Sequence, residues 1–247
     1  MSISQQDLQF LNGPFKNIEG WCMDEAAWYT THLLRYQQRK QRLAPSVEIG
    51  VYYGKYLSVL GNCARTAGQQ LYGFDTYEWV PVSAVEAQMK MAFGSMDGIH
   101  LIPGDSTKMS PADFSGHLKG EKVGFLSVDG DHTPNAVFSD MILSESVLAP
   151  WGIVAIDDFM NPMAIGVTDG AMRYWNKTET NLVPFCFCRG KLLAAHKEFA
   201  EEYSQETLAF AEANPDLPNV NVMLTNKNTQ GLHWAKQAFL GTAVWII

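Results

Sequence analysis

Residues 123–132, VGFLSVDGDH, form a short apolar run that ends abruptly in acidic residues, and residues 152–159, GIVAIDDF, repeat this pattern. Apolar runs of this length, rich in β-branched residues, are typical of buried strands. Neighbouring parallel strands lie about 5 Å apart, and their carboxyl ends share one edge of the sheet. We therefore expect the side chains of Asp129, Asp157 and Asp158 to converge at that edge.

This predicted acid cluster has two interpretations. Carboxylates in one crevice repel each other unless protons or a cation intervene, and a set of oxygen ligands suits Mg²⁺ or a similar hard ion. Asp129, Asp157 and Asp158 are therefore candidate ligands of a divalent cation. Alternatively, each acid only caps the helix or turn that follows its strand.

His132 lies three residues after Asp129 and just before a helix that we expect to begin at Thr133-Pro134, because proline suits the first helical position. The helix dipole there disfavours an imidazolium ion, whereas nearby carboxylates favour it, so the sequence does not fix the protonation of His132. A histidine beside a bound cation is a candidate general base. A solvated surface histidine is the alternative.

A second motif, EIGVYYG, occupies residues 48–54 and predicts a strand, a tight turn at Gly50 and Gly54, and a following helix. Glycine lets the chain turn sharply and lets a ligand approach the N–H groups of a helix N-terminus. Tyr52 stands where GxGxxG has its middle glycine. The turn alone therefore also fits an ordinary strand-to-helix connection.

Polar residues end the next two predicted strands. Asp75 follows the strand over residues 70–74, where an acid accepts hydrogen bonds from ribose hydroxyls in nucleoside-binding α/β sheets. The alternative is a helix cap. Asp105 and Ser106 follow the strand over residues 98–102 and fall on the same edge, where they either contact an adenine ring or only form a turn.

The composition excludes several classes of protein. The 247 residues are 47% hydrophobic and 18% charged, which is typical of a globular chain with one large domain. A net charge of −8 without a basic stripe argues against a nucleic-acid partner. No apolar run approaches the roughly 20 residues of a membrane span, and no targeting segment is recognisable, so we expect a cytoplasmic protein without a membrane partner. Four cysteines without CxxC spacing are typical of reduced thiols.

Five strand–helix units precede two apolar runs, residues 182–188 and 192–195, which an Arg-Gly-Lys turn separates. This order predicts an α/β fold with a doubly wound, Rossmann-like sheet that is mostly parallel, an antiparallel edge hairpin, and helices on both faces. We expect an N-terminal arm and helical cover over residues 1–45, a cofactor-binding catalytic domain over residues 46–195, and a helical extension with a terminal strand over residues 196–247. The last segment either docks on the domain or exchanges with a second subunit, so a homo-oligomer stays open.

The motifs EIGVYYG, GFD, PGDS, VDGDH and WGIVAIDDF, in this order, resemble those of class I S-adenosylmethionine-dependent methyltransferases over about residues 20–195. More narrowly, they resemble the branch that includes metal-dependent macrolide and sugar O-methyltransferases of natural-product biosynthesis. Two features depart from the pattern: Lys55-Tyr56 stands where small residues are common, and the chain beyond His196 matches nothing familiar.

This resemblance assigns roles to residues at each strand end. A cofactor-binding set of S-adenosylmethionine ligands would comprise Glu48, Gly50, Gly54, Asp75, Asp105, Ser106 and Asp129. A metal-binding set would comprise Asp129, Asp157 and Asp158, and His132 would be the general base.

The resulting expectation is methyl transfer from S-adenosylmethionine to a hydroxyl of a small metabolite of sugar or natural-product type, assisted by Mg²⁺ or another divalent cation. One alternative is an NAD-dependent oxidoreductase, because Asp75 after a glycine turn also suits that cofactor. This function would give no role to Asp157 and Asp158. A second alternative is a catalytically silent cofactor-binding partner protein.

Overall fold

The structure, a computed structural model, describes residues 3–247. The helices in this part of the chain are α1 Gln5–Asn12, α2 Pro14–Asn17, α3 Asp24–Arg39, α4 Lys55–Thr66, α5 Val82–Phe93, α6 Pro111–His117, α7 Pro134–Val147, α8 Ile165–Lys177, α9 Lys197–Ala213 and α10 Pro218–Thr229. The strands are β1 Ser46–Ile49, β2 Leu71–Asp75, β3 Ile99–Pro103, β4 Val123–Val128, β5 Leu148–Ile156, β6 Leu182–Cys188, β7 Lys191–His196, β8 Lys236–Phe239 and β9 Thr242–Ile246.

All of these strands join one sheet in the order β3-β2-β1-β4-β5-β7-β6-β9-β8. The strands from β3 to β5 are parallel, and β7 pairs antiparallel with both β5 and β6. The predicted α/β fold class is therefore confirmed. The strand order reverses between β1 and β4, and the crevice outside the carboxyl ends of the strands at such a point is where open α/β sheets bind ligands.

Both faces of the sheet are covered by helices, as the near-continuous apolar runs of β4 and β5 require. One apolar core joins α3, α4, α5 and α9 to the sheet, and the other joins α6, α7 and α8 to the opposite face. Side chains alternate between the faces along each strand. Glu48, Ser127 and Ala155 therefore face the α3–α4 side, whereas Val128 and Ile156 face the α7–α8 side.

The sheet continues beyond the predicted hairpin. Strand β9 pairs parallel with β6, and β8 pairs antiparallel with β9. The apolar run AVWII therefore docks on its own chain, with the buried side chains of Val244 and Trp245 facing opposite cores. Helix α10 lies within the predicted helical extension, although its own pattern lacks a strong apolar face.

The N-terminal segment is helical where it docks. Phe10 and Leu11 of α1 and Phe15 of α2 are buried against the core that contains α3 and α4. These helices are too short to show a clear period in the sequence, and packing rather than propensity stabilises such elements. No helix within residues 3–247 combines the length and the apolar character that crossing a bilayer requires. The division at residues 45 and 195 stays a prediction.

Candidate active site

The carboxyl ends of β1, β4 and β5 meet because backbone hydrogen bonds extend the parallel ladder past the last strand residues. The N–H of Asp129 donates to Ile49 O at 2.8 Å, and the N–H of Asp157 donates to Val128 O at 2.9 Å. The acids that follow β4 and β5 are thereby fixed side by side. The convergence expected from parallel strand ends is present in the structure.

Asp129, His132 and Asp158 form the group that faces solvent. Their ligand atoms all lie within 4.8 Å of one another. His132 Nε2 lies 3.8 Å from Asp129 Oδ1 and 3.4 Å from Asp158 Oδ2. The Asp129 carboxylate raises the pKa of His132 above its ordinary value. Two carboxylates and one imidazole at these separations fit a divalent cation.

Asp157, the third predicted ligand, has a different neighbour. Its Oδ2 lies 2.7 Å from Nζ of Lys191, and this ammonium also lies 3.9 Å from the centre of the Tyr56 ring. Burial acts to raise the pKa of Asp157, but the Lys191 charge and several hydrogen bonds hold it below its ordinary value. The role of Asp157 as a metal ligand stays a prediction, and an ion pair occupies its carboxylate here.

Burial and neighbouring negative charge raise the pKa values of the Glu48 and Asp129 carboxyls. Burial and the repulsion of Asp157 raise the pKa of Asp129 to about 7. Burial and the charge of Asp129 raise the pKa of Glu48 well above its ordinary value. Glu48 Oε2 has no hydrogen-bond partner among residues 3–247. A buried acceptor without a donor indicates a position where a ligand can supply one.

The glycine loop between β1 and α4 packs directly on the backbone that follows β4, at Asp129. Gly50 has a φ of 84°, and a Cβ there would lie 1.8 Å from the carbonyl oxygen of Asp129. Gly54 precedes α4 with a φ of 85°, in the left-handed region that favours glycine. The backbone requirement at both positions agrees with the predicted turn, and their role in binding S-adenosylmethionine stays a prediction.

Asp75 closes the same loop from the end of β2. Its Oδ2 accepts from the N–H groups of Val51 at 2.7 Å and Tyr52 at 3.0 Å, and its Oδ1 accepts from Tyr77 N–H at 2.8 Å. A carboxylate has about four acceptor positions. Three are therefore used to fix the loop, and one is left for a hydroxyl group such as that of a ribose.

Asp105 and Asp131 each accept a hydrogen bond from the backbone N–H two residues further along the chain. Asp105 Oδ1 accepts from Thr107 N–H at 3.0 Å, and its Oδ2 pairs with Lys108 at 2.9 Å. Asp131 Oδ1 accepts from Thr133 N–H at 3.1 Å, just before α7. For Asp105 these contacts agree with the turn that was the alternative to an adenine contact.

Ser106 is buried beside Asp140 of α7, a residue that the sequence analysis did not single out. Burial raises the pKa of Asp140 to about 7, although the Ser106 hydroxyl opposes the shift. A Cβ added to Gly130 would lie 3.1 Å from Asp140 Oδ2. Asp140 thus lies between the loop after β4 and the loop after β3, and the adenine contacts predicted for Asp105 and Ser106 stay predictions.

A cavity of about 490 Å³ opens beside the hairpin turn. Its lining includes Met23, Phe187, Arg189 and Val222. The neighbouring Gly190 carbonyl accepts from Phe159 N–H at 2.9 Å, and Phe159 directly follows Asp158 in the chain. This largely apolar cavity has the size of a small-molecule site, and this hydrogen bond links its lining to the residue after Asp158.

The chain matches the protein family described as a methyltransferase domain over residues 47–159. This range begins in β1 and ends just after Asp158, so it spans the strand ends that bear the acids. Over these residues the chain is similar to methyltransferase domains. No curated protein among those compared matches the chain in sequence.

Several solved structures share the fold of most of this chain. The O-methyltransferase NovP has a TM-score of 0.59 at 13% identity, over 68% of this chain and 78% of that chain. CalS11, a TDP-rhamnose 3'-O-methyltransferase of calicheamicin biosynthesis, has a TM-score of 0.50 at 18% identity, over 67% and 76% of the two chains. MycE of the mycinamycin pathway, in complex with Mg and SAH, has a TM-score of 0.54 at 16% identity, over 78% and 55%.

The fold that the resemblance to class I methyltransferases implied is thus confirmed, and the match over residues 47–159 agrees with that resemblance. S-adenosylmethionine as the cofactor stays a prediction. Sequence reasoning placed the acids, the glycine loop and His132 at one edge, and the structure brings them there. The sequence pattern did not indicate a role for Lys191, Tyr56 or Asp140. The available signal for Lys191 was its place directly after a hairpin turn that returns to the end of β5.

Proposed function

We propose that this protein is an S-adenosylmethionine-dependent O-methyltransferase that acts on a hydroxyl of a small metabolite of sugar or natural-product type. The arrangement of Asp129, His132 and Asp158 beside the glycine loop is the observation that carries the proposal. A methyl group on a sulfonium is already electrophilic, so the protein must align the acceptor oxygen and remove its proton.

The residues of this chain divide these tasks. Asp75 and the glycine loop would hold the nucleoside, with one acceptor position of the Asp75 carboxylate free for a ribose hydroxyl. Asp129 and Asp158 would hold a divalent cation such as Mg²⁺, which lowers the pKa of a hydroxyl bound to it. His132 accepts the hydroxyl proton at Nε2, which lies between those two carboxylates.

The cavity beside the hairpin turn supports a small acceptor with apolar surface. Its volume of about 490 Å³ is in the range of small-molecule sites. Met23 and Phe187 supply apolar walls, and Arg189 supplies a hydrogen-bond donor at the rim. MycE belongs to the mycinamycin biosynthetic pathway, and CalS11 is a TDP-rhamnose 3'-O-methyltransferase of calicheamicin biosynthesis. We propose an acceptor of sugar or natural-product type for this chain.

The test is methyl transfer from isotopically labelled S-adenosylmethionine to a panel of sugars, phenols and macrolides in the presence of Mg²⁺. His132→Gln should lower turnover by about 100- to 1000-fold, because a general base contributes about that much, and it should leave S-adenosylhomocysteine affinity unchanged. His233→Gln is a matched control, because His233 is an exposed histidine that belongs to no part of the site.

The pH profile provides a second readout. A base must be neutral to accept a proton, so turnover should rise with pH as His132 loses its proton. Binding of S-adenosylhomocysteine without labelled product from any acceptor would instead indicate the silent partner protein. A thermal shift with NAD and none with S-adenosylmethionine would indicate the oxidoreductase.

A further inference from the structure

Lys191 lies opposite Asp157 in the antiparallel pairing of β5 with β7. Ile156 pairs with Leu192, so the next step of the register sets residue 157 against residue 191. The alternation along the strands directs both side chains to the α3–α4 face, the face that Glu48 also occupies. The pair is therefore specified by the register of the hairpin and not by a flexible surface contact.

The Lys191 side chain is only 4% exposed. Its Nζ lies 2.7 Å from Asp157 Oδ2 and 3.9 Å from the centre of the Tyr56 ring, and it makes no well-aligned hydrogen bond within residues 3–247. Asp157 and Asp129 are the acids whose charges act on this ammonium. A buried charge without an ion-pair partner is strongly destabilising, so Lys191 and Asp157 depend on each other.

Asp158 is in a different position. Its φ of 54° turns the chain out of the strand, and its Oδ2 lies 3.4 Å from His132 Nε2 on the solvent side of the cluster. A divalent cation can therefore approach Asp158 and Asp129 from solvent. A cation that approached Asp157 would meet the Lys191 ammonium, and like charges at such distances repel strongly where water is excluded.

We propose that Lys191 is the resident cation of Asp157, so that a divalent cation is bound by Asp129 and Asp158 and not by Asp157. This inference rests on the metal site of the proposed function. Lys191 is a positioning residue in this scheme. It neutralises one carboxylate of the cluster and limits the number of acids that compete for the cation.

The test measures Mn²⁺ binding by calorimetry and by electron paramagnetic resonance, without an acceptor. Asp158→Asn should weaken Mn²⁺ binding by about tenfold or more, because it removes a ligand. The double variant Asp157→Asn with Lys191→Met should bind Mn²⁺ within about threefold of the unmodified protein, because it replaces an ion pair by a neutral pair.

Lys191→Met alone should tighten Mn²⁺ binding by about tenfold or more, because it frees the Asp157 carboxylate to join the site. If this variant does not fold with Asp157 buried and unpaired, the double variant carries the comparison, with circular dichroism and S-adenosylhomocysteine binding as checks of the fold. Loss of Mn²⁺ binding in the double variant to the level of Asp158→Asn would overturn the inference. So would a folded Lys191→Met protein with unchanged or weaker binding, or saturable binding in none of these proteins.

These results are separable from the proposed function. A protein that transfers no methyl group but shows this binding pattern would contradict O-methyl transfer and leave the assignment of Lys191 standing. An active methyltransferase whose double variant loses Mn²⁺ binding would support O-methyl transfer and contradict the assignment of Lys191.

Discussion

Two buried groups of charged residues in this molecule differ in how completely they are paired. Asp7 of α1 is fully buried, and it accepts hydrogen bonds from Ser4, Arg35 and Asn62 at 2.6 to 3.0 Å. Burial acts to raise the pKa of Asp7, but the Arg35 guanidinium and its other donors hold it below its ordinary value. This group joins α1, α3 and α4.

The acid cluster at the sheet edge is the opposite case. Glu48 has an oxygen without a partner, and Asp129 and Glu48 have raised pKa values. One ammonium, that of Lys191, lies among three carboxyls on its face of the sheet. The comparison shows that burial of charge alone does not identify a functional site. Incomplete pairing is the better guide, because it leaves positions that a ligand can fill.

Asp129 should show the largest difference between an effect on turnover and an effect on stability. Asp129→Asn should lower methyl transfer by about 1000-fold, because it removes a carboxylate from both the cation and His132. The free energy of unfolding without divalent cation should not fall, because the change removes a buried charge from a group of like charges. Turnover and urea denaturation of the same preparation measure the two effects. If Asp129→Asn lowered the free energy of unfolding as well as the turnover, the distinction between the acid cluster and the Asp7 group would be contradicted.

Asp7 should show the reverse pattern. Asp7→Asn leaves the Arg35 guanidinium without its counter-charge, and breaking a buried ion pair in this way costs about 3 kcal/mol of unfolding free energy. Turnover per folded molecule should stay within about twofold, because α1 lies outside the acid cluster. Asp113→Asn on exposed α6 is the control for a lost helix-cap carboxylate. An Asp7→Asn protein of unchanged stability would refute this part of the comparison.

Asp140 sharpens the comparison through pH. Its pKa is raised from an ordinary 3.8 to about 7, so the folded protein binds a proton that the unfolded chain releases between these values. This group therefore costs stability progressively as pH rises from about 4 to 7, and Asp140→Asn should gain stability relative to the unmodified protein over that interval. Asp7, whose pKa is lowered, has the opposite effect. Its ionised carboxylate stabilises the folded protein, and this stabilisation is lost as the pH falls through the lowered pKa. Parallel stability curves from pH 4 to pH 8 for the Asp140→Asn and unmodified proteins would disprove the assignment.

The sequence was sufficient for the parts of the site that follow from strand ends. Asp75, Asp129 and Asp157 each end a strand of a parallel sheet, and the carboxyl ends of such strands must share one edge. The fold class follows from the same alternation of strands and helices. These features depend on local pattern and on the topology that the pattern implies.

The parts that the sequence did not predict depend on register and on packing between distant segments. Lys191 reaches Asp157 only because β7 pairs with β5 in one particular register. Tyr56 contacts that ammonium because α4 packs over the same face. Helix α10 and the docked α1 are stabilised by tertiary contacts that leave only a weak pattern in the chain.

The absence of a side chain at Gly50 has a mechanical consequence. The loop that would contact a nucleoside and the backbone of Asp129 touch so closely that no atom fits between them, so a shift of one must displace the other. Coupling between two binding events is reciprocal in free energy. Occupancy of the loop by S-adenosylhomocysteine and occupancy of the acids by Mn²⁺ should then alter each other's dissociation constants by one common factor, which titrations in either order can measure.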